Sequence, residues 1–271
     1  MKKLLLVLII LGGLIMGNIY AQDEFLDADE LLFIAERVVL IGIIEGDEFV
    51  GNGSGTIVDP SGVIFTNRHV VEDSDDLAIF MLTDIGELPE LAYFARVVEV
   101  SEQIDFAIIQ VDRDADGNPV DPTTLNLPAL PLNVASAAIG EEVRVFGYPG
   151  IGDGYMVITS GEIVTIQNGE VNGERVPVWY RTDSEFSGGN SGGLAVNNAG
   201  QLVGIPTSVV TEDRTSGKLG GLLPFSTVLA LIEGANDFTS GDTIVEAPPP
   251  VSTNQVSFTL NNESATNVCF V

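Results

Sequence analysis

Gly188-Gly189-Asn190-Ser191-Gly192-Gly193 is the stretch on which the reading of this chain turns. Glycines on both sides of Ser191 let the backbone take a tight turn that exposes the hydroxyl and aims neighbouring N–H groups at one point. A serine nucleophile with an oxyanion hole requires that arrangement. Taken alone, the stretch reads equally well as a glycine-rich turn between strands. It also satisfies the G-x-S-x-G pattern of a nucleophile elbow on a parallel α/β sheet, where the acid and the histidine follow the serine. The chain has one histidine, His69, and it lies upstream of Ser191. The elbow reading fails on that count.

Working outward, Thr66-Asn67-Arg68-His69-Val70-Val71 follows a strand-like run and ends in a short apolar step. A lone histidine is usually a solvated or core residue. This one sits where a strand gives way to a loop, and any imidazole chemistry must run through it. Asp105 opens the run Phe106-Ala107-Ile108-Ile109. A carboxylate at the mouth of a buried strand can be held dry and hydrogen-bonded, as orienting an imidazole requires. Asp75, Asp76 and Asp84 are alternatives, but each lies among polar or turn residues and reads better as a solvated charge. The order His69, Asp105, Ser191 is the chymotrypsin order, unlike that of subtilisin.

Composition narrows the classes. A formal net charge of −28 leaves no basic patch for phosphates, so nucleic acid is not an expected partner. A single cysteine, Cys269, excludes a disulfide within the chain and any thiol-rich metal site. Residues 1–21 have Lys2 and Lys3, the apolar run Leu4–Met16 and a small residue, Ala21, at the exit, which describes a secretory signal peptide. The run is short for a membrane anchor. Export to the cell envelope or medium is therefore expected, with no membrane attachment after cleavage.

Short β-type runs follow at regular spacing: Arg37–Glu45, Gly55–Asp59, Val63–Asn67, Leu77–Leu82, Ala92–Val100 and Phe106–Val111. Asp27–Ala35 reads as a helical turn before them. A polar stretch from Asp112 to about Leu132 reads as a connection. A second set comprises Glu142–Phe146, Tyr155–Ile158, Gly161–Gln167, Val176–Arg181, Gly193–Asn197 and Leu202–Ser208. Phe225–Glu233, between Pro224 and Gly234, reads as a helix. Two groups of about six strands imply two antiparallel barrels or sandwiches in tandem. The main unit is placed at 28–234, its halves at about 31–111 and 139–224. Residues 235–254 read as a proline-bearing linker. Residues 255–271 read as a hairpin that either docks on the main unit or begins a further domain, the second being preferred.

These pieces together resemble the trypsin-like serine proteases, most closely the HtrA (Deg) branch. The matching motifs are Gly53-Ser54-Gly55-Thr56 with Ser61-Gly62, then Thr66 to Val71, then Asp105-Phe106-Ala107-Ile108. Phe146-Gly147-Tyr148-Pro149, Thr182-Asp183 and Gly189-Asn190-Ser191-Gly192-Gly193 continue the series in the family's order. The resemblance implies an all-β fold of two six-stranded antiparallel β-barrels with a short C-terminal helix. It implies a triad of His69, Asp105 and Ser191 in the cleft between the barrels, and an oxyanion hole from the N–H groups of Gly189 and Ser191. The implied activity is that of an exported serine endopeptidase acting on proteins or peptides through an acyl-enzyme. The alternative is a catalytically silent or gated binding protein on the same barrels.

A PDZ domain, usual in that branch, is not expected within residues 234–271, and the branch's trimeric assembly is not carried over, since no contacts for it are legible. Glu185 and Phe186 are the candidates for the specificity pocket. A Phe-lined pocket favours small aliphatic side chains, whereas a Glu reaching in favours Arg or Lys. The apolar reading is preferred because a buried unpaired carboxylate is costly. Asp112, Asp114 and Asp116 match the first half of a calcium loop, but the twelfth position is Thr123 and no helices flank it. No cofactor is therefore expected, and calcium is kept as a secondary candidate.

Overall fold

The structure, a computed structural model, describes residues 26–45, 48–72, 74, 76–101, 103–171, 174–212, 217–235 and 268–270. The signal segment and most of the linker and tail lie outside the described residues. Six strands build the first barrel: β1 (Val38–Glu45), β2 (Glu48–Asp59), β3 (Val63–Thr66), β4 (Leu77–Met81), β5 (Glu90–Val100) and β6 (Ala107–Asp114). They close in the order β1-β2-β3-β6-β5-β4. Successive side chains on a strand point to opposite faces. One row of β-branched and aliphatic residues therefore fills the interior: Val39, Ile41, Ile57, Ile64, Leu77, Ile79, Ile109 and Val111, all fully buried.

The outward row of this barrel is not all polar. Phe65 and Phe106 meet edge to face, with ring centroids 5.1 Å apart. They join Phe146, Tyr148, Leu194, Ile205, Leu223 and Phe225 in a cluster that draws on both barrels. Each such side chain removed from water contributes roughly 1.5–3 kcal/mol, so the cluster is what fixes the cleft. Helix α1 (Ala28–Ala35) adds Ile34 and Ala35 to it. Its start is set by a capping box: Asp27 accepts from the Glu30 N–H, and Glu30 from the Asp27 N–H, both at 2.9 Å.

The second barrel comprises β7 (Glu142–Gly147), β8 (Val157–Val171), β9 (Glu174–Thr182), β10 (Leu194–Asn197), β11 (Leu202–Glu212) and β12 (Gly217–Pro224). Their order is β10-β7-β8-β9-β12-β11, and β10 pairs back onto β11 to complete the ring. Helix α3 (Phe225–Ala235) follows and buries Phe225 and Val228. A short strand, β13 (Val268–Phe270), adds to β11 outside the ring. The fold is all-β, with two six-stranded antiparallel units in tandem. Among the described residues no helix is long and apolar enough to cross a membrane.

Two corrections apply to the expected strands of this half. Val157–Ile158 and Gly161–Gln167 are parts of one strand, β8, and Tyr155 and Met156 lie before it. Gly161 marks a close approach and not a break: a Cβ there would lie 2.4 Å from the Ser184 nitrogen. Strand β12 is absent from the expected set because Gly220 and Gly221 weaken its β signal. The bare backbone makes room for the Phe186 ring, 2.8 Å from where a Gly220 Cβ would stand. One merger and one addition leave the total unchanged.

Candidate active site

His69 rides on a one-turn helix, α2 (Arg68–Val71), directly after β3, where the sequence reads as a loop. Asp105 precedes β6, and the β3–β6 ladder, with Thr66 opposite Ala107, brings the two together. The ring Nδ1 of His69 lies 2.5 Å from Asp105 Oδ2, and the His69 backbone N–H donates to Asp105 Oδ1 at 3.0 Å. Both carboxylate oxygens thus address one residue, one holding the ring and the other its main chain. The Asp105 side chain is only 8% exposed and that of His69 20%. A hydrogen bond to an ionised partner in so dry a place is stronger than the same bond in water. Asn67 completes the mount: its Nδ2 donates to the Asp105 carbonyl at 2.6 Å and to Thr207 Oγ1, on the second barrel, at 3.0 Å.

The other acidic candidates are placed elsewhere. Asp76 is ion-paired with Arg113, and Asp84 is exposed. Asp75 lies outside the described residues.

Ser191 stands on the loop between β9 and β10, pressed against the first barrel. Gly192, at φ +82°, explains how: a Cβ there would lie 2.2 Å from both the Ser54 carbonyl oxygen and Thr66 Oγ1, and 3.1 Å from the Asn67 nitrogen. Only glycine allows the serine loop to approach so near the segment that carries His69. Ser54 is the residue that ties the halves together, and the sequence shows it only as a serine between two glycines. Its N–H donates to the Ser191 carbonyl at 2.8 Å, its Oγ donates to the Gly189 carbonyl at 2.7 Å, and the Tyr148 N–H donates to that Oγ at 2.9 Å.

The loop carbonyls are held in place too. The Gly188 carbonyl accepts from the Gly150 N–H at 2.7 Å, and the Asn190 carbonyl from the Gly193 N–H at 3.0 Å. In a trans peptide the N–H points opposite to the preceding C=O. Fixing these two carbonyls therefore fixes the directions of the Gly189 and Ser191 N–H groups, the pair a two-donor oxyanion hole uses.

Beside Ser191 lies a small pocket, lined by Phe186, Ser187, Asn190, Ser191, Pro206, Thr207 and Ser208. The Phe186 ring spans Gly220 and packs against the core of the second barrel. Glu185 is exposed and does not line the pocket, which corrects its placement there. Among the described residues no cationic side chain lines the wall, so a carboxylate turned inward would find no partner among them.

Asp112, Asp114 and Asp116 are spread along a hairpin turn. The Asp112 carboxylate accepts from Arg113 Nε, and that of Asp114 accepts from the N–H groups of Asp116 and Asn118. The Asn118 side-chain amide, which also donates to Asp114, and after it these backbone bonds hold the Asp114 carboxyl below the usual range. Among the described residues no group of three or more His, Cys, Asp or Glu side chains is placed to hold a metal ion. The melting temperature is expected to be the same in excess calcium and in chelator. A rise of several degrees with calcium would reinstate the metal.

Two six-stranded barrels, with a serine loop on one and a histidine–aspartate pair on the other, define the chymotrypsin-type architecture. A family profile described as "Trypsin-like peptidase domain" matches residues 53–205, and the chain belongs to that family, on its HtrA branch. It is 30% identical over 184 residues to the periplasmic serine endoprotease DegP of Salmonella typhimurium, covering 67% of this chain and 35% of that protein. A probable periplasmic serine endoprotease DegP-like protein of Hahella chejuensis is 33% identical over 174 residues, covering 64% and 32% of the two chains. The crystal structure of a serine endoprotease from Yersinia pestis superposes with a TM-score of 0.57 at 26% identity, over 75% of this chain and 64% of the other. The chain spans about a third to a half of the length of the curated relatives it matches.

Proposed function

We propose that this protein is an exported serine endopeptidase that works through Ser191, His69 and Asp105. The observation that carries the reading is the double grip of Asp105 on His69, with the Ser191 loop wedged against the same segment. Because Nδ1 is committed to Asp105, Nε2 is the ring nitrogen that takes the Ser191 proton as Oγ attacks the peptide carbonyl. The oxyanion so formed is received by the Gly189 and Ser191 N–H groups. His69 then protonates the leaving amine, and an acyl-enzyme on Ser191 remains for water to hydrolyse. Asp105 keeps the imidazole in the required tautomer and stabilises its charged form.

The Phe186-lined pocket supports a preference for small aliphatic side chains on the acyl side of the cleaved bond. Export is supported by the leader-like residues 1–21 and by relatives that are named periplasmic. The test is an active-site fluorophosphonate with mass-spectrometric mapping, followed by peptide-library profiling. Labelling at Ser191 and cleavage after Val, Ala or Ile are expected. A folded sample that takes no label favours a silent scaffold, and strong cleavage after Arg would discard the apolar pocket.

A further inference from the structure

Strand β11 is flanked on one side by β12 along Gly204–Glu212, whereas β10 pairs with its other side only at Leu202 and Gly204. Beyond Gly204 that second edge is left open by the barrel. The Pro206 carbonyl already accepts from the Gly192 N–H and proline has no N–H to offer, so the open stretch starts at Thr207, which with Pro206 and Ser208 lines the pocket beside Ser191. An open strand edge offers a row of backbone donors and acceptors that an extended peptide can pair with, whatever its sequence.

In this chain the edge is taken. Strand β13 pairs antiparallel with it, Val268 opposite Val210, Cys269 opposite Val209 and Phe270 opposite Ser208. As β13 advances, its partners count down toward Thr207, so its direction runs at the pocket and Ser191. A substrate laid on the same edge, with its chain heading into the pocket, would present its acyl side to the nucleophile in this pose.

We propose that Val268–Phe270 is a pseudosubstrate strand that holds the substrate edge of β11 and restrains the enzyme from within its own chain. The proposal rests on the serine-endopeptidase reading of the site. A three-residue strand makes few bonds, so it opens readily. Being part of the same chain, it nevertheless competes at an effective concentration on the order of millimolar. Substrates that pair along β11 must displace it, which makes the restraint graded by substrate length.

The test compares the full chain with its Val268→Pro/Cys269→Pro variant: N–H groups alternate in direction along a strand, so one of the two prolines removes a donor that faces β11, whichever residue supplies it. Amide hydrogen exchange at residues 208–210 reads the docking without reference to catalysis. Hydrolysis of a chromogenic peptide and fluorophosphonate capture at Ser191 read the consequence. The expected result is lost protection at those amides of 208–210 that face β13, with the alternating amides that face β12 unchanged, and a kcat/KM raised about tenfold if the edge is occupied about nine-tenths of the time. The peptide Asn-Val-Cys-Phe-Val, added in trans, should reverse the gain. Unchanged exchange at 208–210 would overturn the docking. Lost protection with an unchanged kcat/KM and normal Ser191 capture would overturn the restraint. Lost protection with neither hydrolysis nor capture in either chain would discard the protease reading, and the restraint with it.

Discussion

Ser191→Ala is expected to lower turnover of a peptide substrate by a factor on the order of 10⁶ while leaving the fold intact. The loss is large because the triad acts as a unit, so removing Oγ leaves the other two members with no reaction to assist. The fold survives because Ser191 supports its surroundings through the main chain. Its carbonyl accepts from the Ser54 N–H, and its neighbour Gly192 donates to the Pro206 carbonyl at 3.0 Å. Neither contact involves Oγ. Turnover by a rigorously purified variant, with its melting temperature measured alongside, checks both halves. Activity within tenfold of the unsubstituted protein would remove Ser191 from the mechanism.

Asp105→Asn is expected to lower kcat by about 10⁴. The substitution is nearly isosteric, and an amide oxygen at Oδ1 still accepts from the His69 backbone N–H, so helix α2 keeps its place. The change falls on the second oxygen. An amide nitrogen at the Oδ2 position donates where the carboxylate accepts, and faces His69 Nδ1 as a donor. The ring then carries its proton on Nε2, the nitrogen that must be bare to receive the serine proton. A kcat within tenfold of the unsubstituted value would show that Asp105 is not the orienting group. Asp76 is not an available substitute, since Arg113 already engages it.

Much of this arrangement is legible in the sequence, and for identifiable reasons. The strands of the first barrel announce themselves as short, mostly β-branched apolar runs such as Val38–Ile41 and Ala107–Ile109. His69, Asp105 and Ser191 are legible because only one histidine exists and because glycines crowd one serine. The second barrel is harder. Gly161, Gly220 and Gly221 look like strand breakers, yet each permits a long-range contact that a single sequence cannot display. The same limit hides Asn67 and Thr207, whose pairing across the cleft joins residues far apart in the chain. Glu185 and Phe186 are adjacent in sequence, and only the packing of the Phe186 ring over Gly220 decides which of them lines the pocket.

The division of the machinery between the two barrels bears on how the molecule is made. His69 and Asp105 belong wholly to the first barrel, and Ser191 to the second, with Ser54 bridging them. Chains are synthesised from the amino terminus, and units of this size fold largely one after another. A half-made molecule therefore carries a base and its orienting acid but no nucleophile. When the second barrel closes, it does so through long-range pairings, which form slowly. On the proposed triad, the nucleophile thus joins its base only when the second barrel closes.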